Sequence, residues 1–472
     1  MQKTVTVPEE EIKRQYDLCL KARQLLGGRS QFFHIESYGC QMNDHDSEKL
    51  SGMLLAMGYQ RAKDKQLADL IVFNTCCVRA HAEQRVFGNI GALKKRKDEN
   101  PSLIICVCGC MMQQKKIGQK LYDRFPFVDL VFGTHNLYQF PELLLGVLGG
   151  RRRCALVESS GEVAEGLPVQ RGGEFSTNLT ITYGCDNFCS YCIVPYVRGR
   201  ERSRTADNIE QEARALVAKG YREITLLGQN VNSYRAPDSD EDFPALLERL
   251  NGIEGRWWLR FMTSHPKDLS PRLIGAMATL DKVCNHIHLP VQSGSNAMLD
   301  LMNRRYSRED YFRLIDDIRA AVKDVEITTD IIVGFPGETE KDFEDTLDLV
   351  ERVGFAAAYT FMYSPRPGTK AASMQDQIAA QVKKERLLRL NELQTEQTRR
   401  NNLKFIGRVE TVLVEGVDRR GADIAFGKTS NFKMVYFPGE DDIIGQFMQV
   451  RIESAQNNSL IGSIVKENGG SK

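Results

Sequence analysis

Between residues 31 and 363, short apolar runs rich in β-branched residues alternate with longer amphipathic stretches. Strands separated by a helix's length of chain pair in parallel and carry helices on the sheet faces, so this alternation implies an α/β fold. The first runs are QFFHIES (31–37), LIVFNTC (70–76), SLIICVCGC (102–110) and LVFGT (130–134), with helical spacing between them as in DSEKLSGMLLAMG (46–58). They predict a doubly wound parallel-sheet domain over residues 31–148, preceded by a polar helical extension over 1–30. A Gly-, Glu- and Arg-rich stretch, 149–174, reads as a linker. Six further runs follow: NLTIT, EITLLGQ, WWLRFMTS, HIHLPVQ, ITTDIIVGF and AAAYTFMY. Six βα units fall short of a closed eight-unit barrel and predict an open, partial barrel over 175–402. From 404 to 467 five short strands replace the helices, the texture of a small OB-like β-barrel.

The N-terminus is charged, and no segment approaches the roughly 18 uncharged apolar residues of a membrane span. A cytoplasmic chain with no membrane partner is the expectation. Net charge is +1, so overall charge decides nothing about polyanions. The basic runs KKRK (94–97), RRR (151–153) and RGRERSR (198–204) read, on their own, as solvated faces.

Twelve cysteines are many for a chain without a secretory signal, and reduced thiols in such number point to metal or cluster ligation. Cys19, Cys154 and Cys284 are isolated and read as small apolar side chains. Cys185, Cys189 and Cys192 lie together in TYGCDNFCSYCIVPYVRG, just past the first strand of the partial barrel, where such barrels place chemistry. Three thiolates are one short of a closed zinc site. They suit three corners of an iron–sulfur cubane whose fourth iron stays open to an amino and a carboxylate group, both of which S-adenosylmethionine (SAM) offers.

Cys40 follows the first strand of the first domain, Cys76 ends the second and Cys110 ends the third. The C-terminal ends of parallel strands lie along one edge, so these three can converge on a second cluster. A structural zinc completed by His135, or plain core cysteines, are the rival readings. Cys77, Cys106 and Cys108 complicate the choice, because alternation puts Cys106, Cys108 and Cys110 on one face of a strand. Position at the strand end favours Cys110.

The CxxxCxxC loop resembles the signature of the radical SAM superfamily. That resemblance implies a 4Fe-4S cluster which cleaves SAM to a 5′-deoxyadenosyl radical. It also implies cofactor contacts from Tyr191, from Gly228 and Gln229 in LLGQN, and from Asp330, Gly334 and Glu338 in DIIVGFPGETE. SYGCQMNDHDSE, NTCCVR, GCMMQ, YGCDNFCSYCIVPYVRGRERSR, HLPVQSGSN and FMYSPRPGT resemble the methylthiotransferases, a radical SAM family with a second 4Fe-4S cluster. The stretch GKTSNFKMVYF resembles that family's RNA-binding TRAM domain.

By position, the family assigns the auxiliary cluster to Cys40, Cys76 and Cys110. The YGCQMN motif resembles the branch that acts on tRNA, with isopentenylated adenosine beside the anticodon as substrate, methylthiolated at C2 at the expense of two SAM molecules. The implied partners are that tRNA, a reductant protein of flavodoxin or ferredoxin type, and a sulfur or cluster donor. Arg198, Arg200, Arg202 and Arg204 then become candidate phosphate contacts, and Tyr234, Phe361 and Tyr363 candidate stacking partners for a flipped base. Two other functions fit many of the same residues. One is the same chemistry on threonylcarbamoyl-adenosine tRNA or on a ribosomal-protein aspartate. The other is a non-catalytic iron–sulfur protein that binds RNA.

Overall fold

The computed structural model describes residues 6–28, 30–77, 82–151, 154–157, 162–419 and 423–465. Arg152 and Arg153 of the RRR run lie outside them. The first domain is a six-stranded parallel sheet in the order β2-β1-β3-β4-β5-β6. Its strands are β1 (Phe32–Ser37), β2 (Gln60–Arg61), β3 (Leu70–Thr75), β4 (Ile104–Gly109), β5 (Leu130–Phe132) and β6 (Cys154–Leu156). Both faces are covered. Ile71, Phe73, Ile105 and Val107 face one core, while Leu70, Val72, Cys106 and Cys108 face the other. Continuous apolar runs such as LIVF are what two-sided burial demands.

Two boundaries differ from the sequence reading. The segment 149–174 contributes the edge strand β6, which pairs with β5 from Leu130↔Cys154 to Phe132↔Leu156. Residues 1–30 are also more than an appendage: α1 (Glu9–Leu26) buries Ile12, Gln15, Cys19 and Ala22 along one face, against α2 (Gln41–Ala56) and the Phe140–Leu148 helix. Most of the polar residues that made it look detached occupy its outer face, and at the edge of the helix contact Arg14 pairs with Glu142 at 2.6 Å.

The second unit opens with β7 (Ser176–Thr180), followed by a two-stranded antiparallel ribbon of β8 (Thr182–Tyr183) and β9 (Arg202–Ser203). Then come β10 (Glu223–Leu227), β11 (Trp258–Phe261), β12 (His286–His288), β13 (Glu326–Val333) and β14 (Ala357–Met362). They form two parallel three-stranded sheets, β11-β10-β7 and β12-β13-β14, joined where Leu259 bridges to Val283. Among the described residues no ladder joins β14 to β7, so the six-stranded barrel is open along that side.

After the long Ala380–Leu403 helix, β15 (Val409–Asp418), β16 (Ile424–Thr429), β17 (Met434–Pro438), β18 (Phe447–Ala455) and β19 (Leu460–Ile464) close a small barrel in the order β15-β16-β17-β19-β18. This barrel docks on the base of the larger one. Glu223, Trp258, His286 and Glu326 are the first residues of their strands; the last three meet the small barrel directly, and Glu223 does so through Arg260. Arg260, paired with Glu223 at 2.6 Å, donates to the carbonyls of Thr429 and Ser430 at 2.6 Å each. Phe432, held at a left-handed φ of +70°, stacks on His286 with ring centroids 4.7 Å apart. Lys433 pairs with Glu326 at 3.0 Å, and Trp258 meets Phe447 edge-on.

The base contact carries a measurable share of stability. Phe432→Ala removes a ring that is half-buried between His286 and Arg260. We expect a loss of about 2 kcal/mol, near half the cost of deleting a fully buried phenylalanine, read as a lower thermal unfolding midpoint. An unchanged midpoint would show the two barrels to be energetically independent.

Candidate metal centres at the barrel mouth

The loop bearing Cys185, Cys189 and Cys192 leaves and re-enters the barrel through the β8–β9 ribbon, which pins its two ends at Tyr183↔Arg202. Its backbone is tied down on three sides. Cys185 N–H donates to Gly199 O at 3.2 Å, Ser190 N–H to Met302 O at 3.0 Å, and Ala371 N–H to Ser190 O at 2.8 Å. The Asn303 amide donates to the carbonyls of Asn187 and Phe188. Cys189 is buried and the other two are half-buried. Burial, with the neighbouring thiols adding to it, pushes Cys185 up to about 11 and Cys192 up to about 12. A cation must therefore be supplied to hold them as thiolates, which is what iron does. Arg304, 3.4 Å from Cys189 Sγ, already provides one positive charge.

Around this loop, the ends of the other strands present buried polar atoms without partners: Gln229 Oε1 after β10, Ser264 Oγ and His265 Nε2 after β11, and Tyr363 OH after β14. Buried polar atoms are almost always hydrogen-bonded, so orphans at the ends of three strands around one loop fit a polar ligand there. Gly228 passes so close to Thr182 that a Cβ there would overlap the hydroxyl, which explains glycine at that position. Tyr191 packs with Met298, Met302, Phe335 and Tyr363 beside the cysteines. Asp330 lies 3.5 Å from His288 and is partly open to the lumen. Glu338 departs from the sequence reading. It is 3% exposed, and its carboxylate accepts from Gly334 N–H at 2.6 Å and from Arg386 at 2.7 Å. Its work is to hold the turn after β13, not to reach a ligand.

The second group is organised by Asn43, which is fully buried in the first turn of α2. Its amide donates to Tyr38 O at 2.8 Å and to Thr75 O at 2.9 Å. Its carbonyl accepts from Arg198 Nη2 at 2.7 Å and lies 3.6 Å from Cys110 Sγ. One side chain thus ties together the ends of β1, β3 and β4, from which Cys40, Cys76 and Cys110 emerge. Cys40 sits at the N-cap of α2 with its thiol unused for capping, and it is exposed, whereas Cys76 and Cys110 are buried. Gly39, at φ +116°, lies against Cys76, whose Sγ a Cβ would approach to 2.6 Å.

Cys106 and Cys108 belong to the sheet core. Gly109, at φ +95°, breaks the alternation that would have put Cys110 on the same face. Cys110 instead packs with Cys77, Ile193 and Val197. A hydrogen bond from Cys77, together with the Arg198 charge, holds the Cys110 thiol below the usual thiol range. Among the described residues no three His, Cys, Asp or Glu side chains stand at the spacing one metal ion needs, which holds for a closed zinc site with His135 and for either cysteine trio alike. His135 packs instead against Gly199.

The four arginines divide. Arg198 and Arg204 are corrected as phosphate contacts, because both are buried and paired internally. Arg198 meets Asp46 at 2.8 Å, and Arg204 meets Glu165 at 2.6 Å and Glu212 at 2.8 Å. Arg202 donates back to the carbonyl of Arg198 at 2.7 Å. Arg200 is open to solvent, over the Phe188 ring and 3.3 Å from Asp186. Of the proposed stacking residues, Tyr234 and Tyr363 are buried, while Phe361 is 51% exposed. Tyr359, which sequence reasoning missed, is 47% exposed and lies on the same face of β14, in register with Asp330. Its signal was the alternation Tyr359–Phe361 itself. Asn43 and Asp46 were legible only as polar residues beside Cys40.

Residues 179–350 match the Radical SAM superfamily, residues 32–133 the Uncharacterized protein family UPF0004, and residues 403–465 the TRAM domain. The chain is 50% identical over 469 residues to the tRNA-2-methylthio-N(6)-dimethylallyladenosine synthase of Thermoanaerobacter sp. (strain X514), covering 99% of each protein. The protein of that name from Caldicellulosiruptor saccharolyticus is 52% identical over 441 residues, 93% of each. Among solved structures, the radical S-adenosylmethionine methyltransferase TsrM from Kitasatospora setae aligns at TM-score 0.54 and 14% identity, over 73% of this chain and 75% of that one. That likeness concerns the fold.

Asn43→Ala leaves two carbonyls and part of the Arg198 fork without partners. We expect a loss of about 3 kcal/mol, seen as a lower thermal midpoint, together with a fall in bound iron per chain. Full stability and full iron in this variant would show the three loops to be held by other means.

Proposed function

The chain belongs to the tRNA-2-methylthio-N(6)-dimethylallyladenosine synthases, a family of radical SAM enzymes, and from that premise we propose that it adds a methylthio group at C2 of an isopentenylated adenosine next to a tRNA anticodon. The observation that carries this reading is the meeting of two cysteine groups at one seam. Ile193 and Val197, directly after the Cys185–Cys192 loop, pack on Cys77 and Cys110 of the other domain. The activity for which the relatives are named favours this substrate over threonylcarbamoyl-adenosine or a ribosomal-protein aspartate.

The target C–H is aromatic and non-acidic, so acid–base catalysis alone would not open it. When bound, a 4Fe-4S cluster at Cys185, Cys189 and Cys192 supplies the electron for SAM cleavage, and a second at Cys40, Cys76 and Cys110 supplies a place for sulfur. The protein's own part is placement. Gln229, Ser264 and His265 offer hydrogen-bonding atoms to SAM at the mouth, and Tyr191 an apolar wall. Tyr359 and Phe361 offer two exposed rings along the open edge of the barrel for a flipped base, with Asp330 and His288 as polar partners for its edge. Arg200 is the arginine of its run placed to meet phosphate.

The TRAM segment Thr429–Lys433 is committed to the barrel base, so RNA contact by that domain falls to its other faces, where Phe426 and Tyr436 form a cross-strand pair. The reaction draws on a reductant protein of flavodoxin or ferredoxin type and on a sulfur or cluster donor. No helix among the described residues is long and apolar enough to cross a membrane. The cytoplasm, where tRNA is, is the proposed place of work.

Mass analysis of tRNA after anaerobic incubation with the iron-reconstituted protein, a reductant and SAM tests the reading directly: methylthiolated isopentenyladenosine is expected, and its absence overturns it. Iron should approach about eight per chain, falling to about four in a chain lacking either cysteine trio. Cys189→Ala should abolish 5′-deoxyadenosine formation. Cys76→Ala should stop methylthiolation while leaving SAM cleavage. Tyr359→Ala or Phe361→Ala should lower kcat/KM for tRNA by about tenfold, the worth of one base stack, with SAM cleavage retained.

A further inference from the structure

Arg198 stands six residues past Cys192, yet its guanidinium lies in the other domain. It is 6% exposed. Nε donates to Cys110 Sγ at 3.1 Å, and Nη2 donates to Asn43 Oδ1 at 2.7 Å and to Asp46 Oδ2 at 2.8 Å. Cys40 is near enough to add to its electrostatic surroundings. The arm is fixed from behind as well, with Arg198 N–H bonded to Val194 O at 2.8 Å and its carbonyl accepting from Arg202. A guanidinium keeps its proton under all ordinary conditions, so this is a permanent cation aimed at a sulfur. Asp46 offsets the charge but lies on a different nitrogen from the one that meets the sulfur. Arg366, half-buried on the Cys76–Cys77 side, is a further cation near this group among the described residues.

Resting on the reading that Cys40, Cys76 and Cys110 hold an iron–sulfur cluster, we infer that Arg198 is a positioning residue that sets the reduction potential of that cluster through its N–H bond to the Cys110 sulfur. Reduction adds one electron and hence one negative charge to the cluster. A donor and a positive charge held against a ligand sulfur stabilise that extra charge and raise the potential. The arm grows from the loop that carries the other cysteine trio. The auxiliary potential therefore depends on a residue whose position is set by the SAM-binding side. A purely structural tie between domains would hold the loops but leave the potential where it was.

The test uses the full-length chain with Cys185, Cys189 and Cys192 replaced by alanine, so that spectra report the auxiliary cluster alone. Iron per chain and the midpoint potential, from an EPR-monitored redox titration, are compared with and without R198Q and R198K. The expected result is about four irons in each, a midpoint moved to more negative potential in R198Q, and an R198K value between the two. An R198Q midpoint equal to that of the parent, at full iron, overturns the inference. If R198Q loses iron, R198K decides: a more negative midpoint supports the inference and an unchanged one overturns it. A parent chain that binds no iron instead overturns the two-cluster reading, and the inference falls with it.

Discussion

The four hydrogen-bonding positions of one carboxamide govern the architecture of this protein. Asn43 spends both donors on the carbonyls that end two strand-to-loop passages, and its oxygen on an arginine from the neighbouring domain and a cysteine thiol. An amide has two donors and two acceptor lone pairs, and here none is left over. That saturation is why three loops from separate strands share one geometry, and why the two domains meet with a fixed register. A buried amide missing one partner would cost about 1–3 kcal/mol, so the arrangement resists partial loosening and is held or lost as a unit.

Much of the fold was legible because it rests on periodicity. The continuous apolar runs became two-sided strands, and the short strands after residue 404 closed into a barrel. The cysteine loop was legible from spacing within eight residues. What could not be read is what depends on long-range pairing. Arg198 and Arg204 look like their neighbours Arg200 and Arg202 in a one-dimensional string, and only the positions of Asp46, Glu165 and Glu212 separate buried from exposed. Cys106, Cys108 and Cys110 share a strand pattern until the left-handed Gly109 turns the last of them toward Cys77. The helix α1 looked detached because its small buried residues, Cys19 and Ala22, leave little hydrophobic signature.

The barrel has two ends of opposite character. At the mouth, polar atoms are left without partners and aromatic rings stand open. At the base, Glu326 pairs with Lys433, Trp258 and His286 meet Phe447 and Phe432, and Arg260 donates to two carbonyls of the small barrel. Partners are provided across the barrel junction and left out at several positions around the mouth, which is how a rigid scaffold carries a reactive site.

The docking of the Thr429–Lys433 loop bears on how chain-shortening experiments are to be interpreted. Cutting the chain after residue 403 would not merely take away a nucleic-acid-binding accessory. It would strip Arg260 of two carbonyl acceptors, bare the ring of His286 and leave Glu326 without Lys433. A shortened enzyme that fails would be reporting an unroofed foundation beneath the strands, and its failure would say nothing about where RNA had been gripped. Separating the two contributions calls for substitutions on the outer faces of the small barrel, with its inward loop left whole.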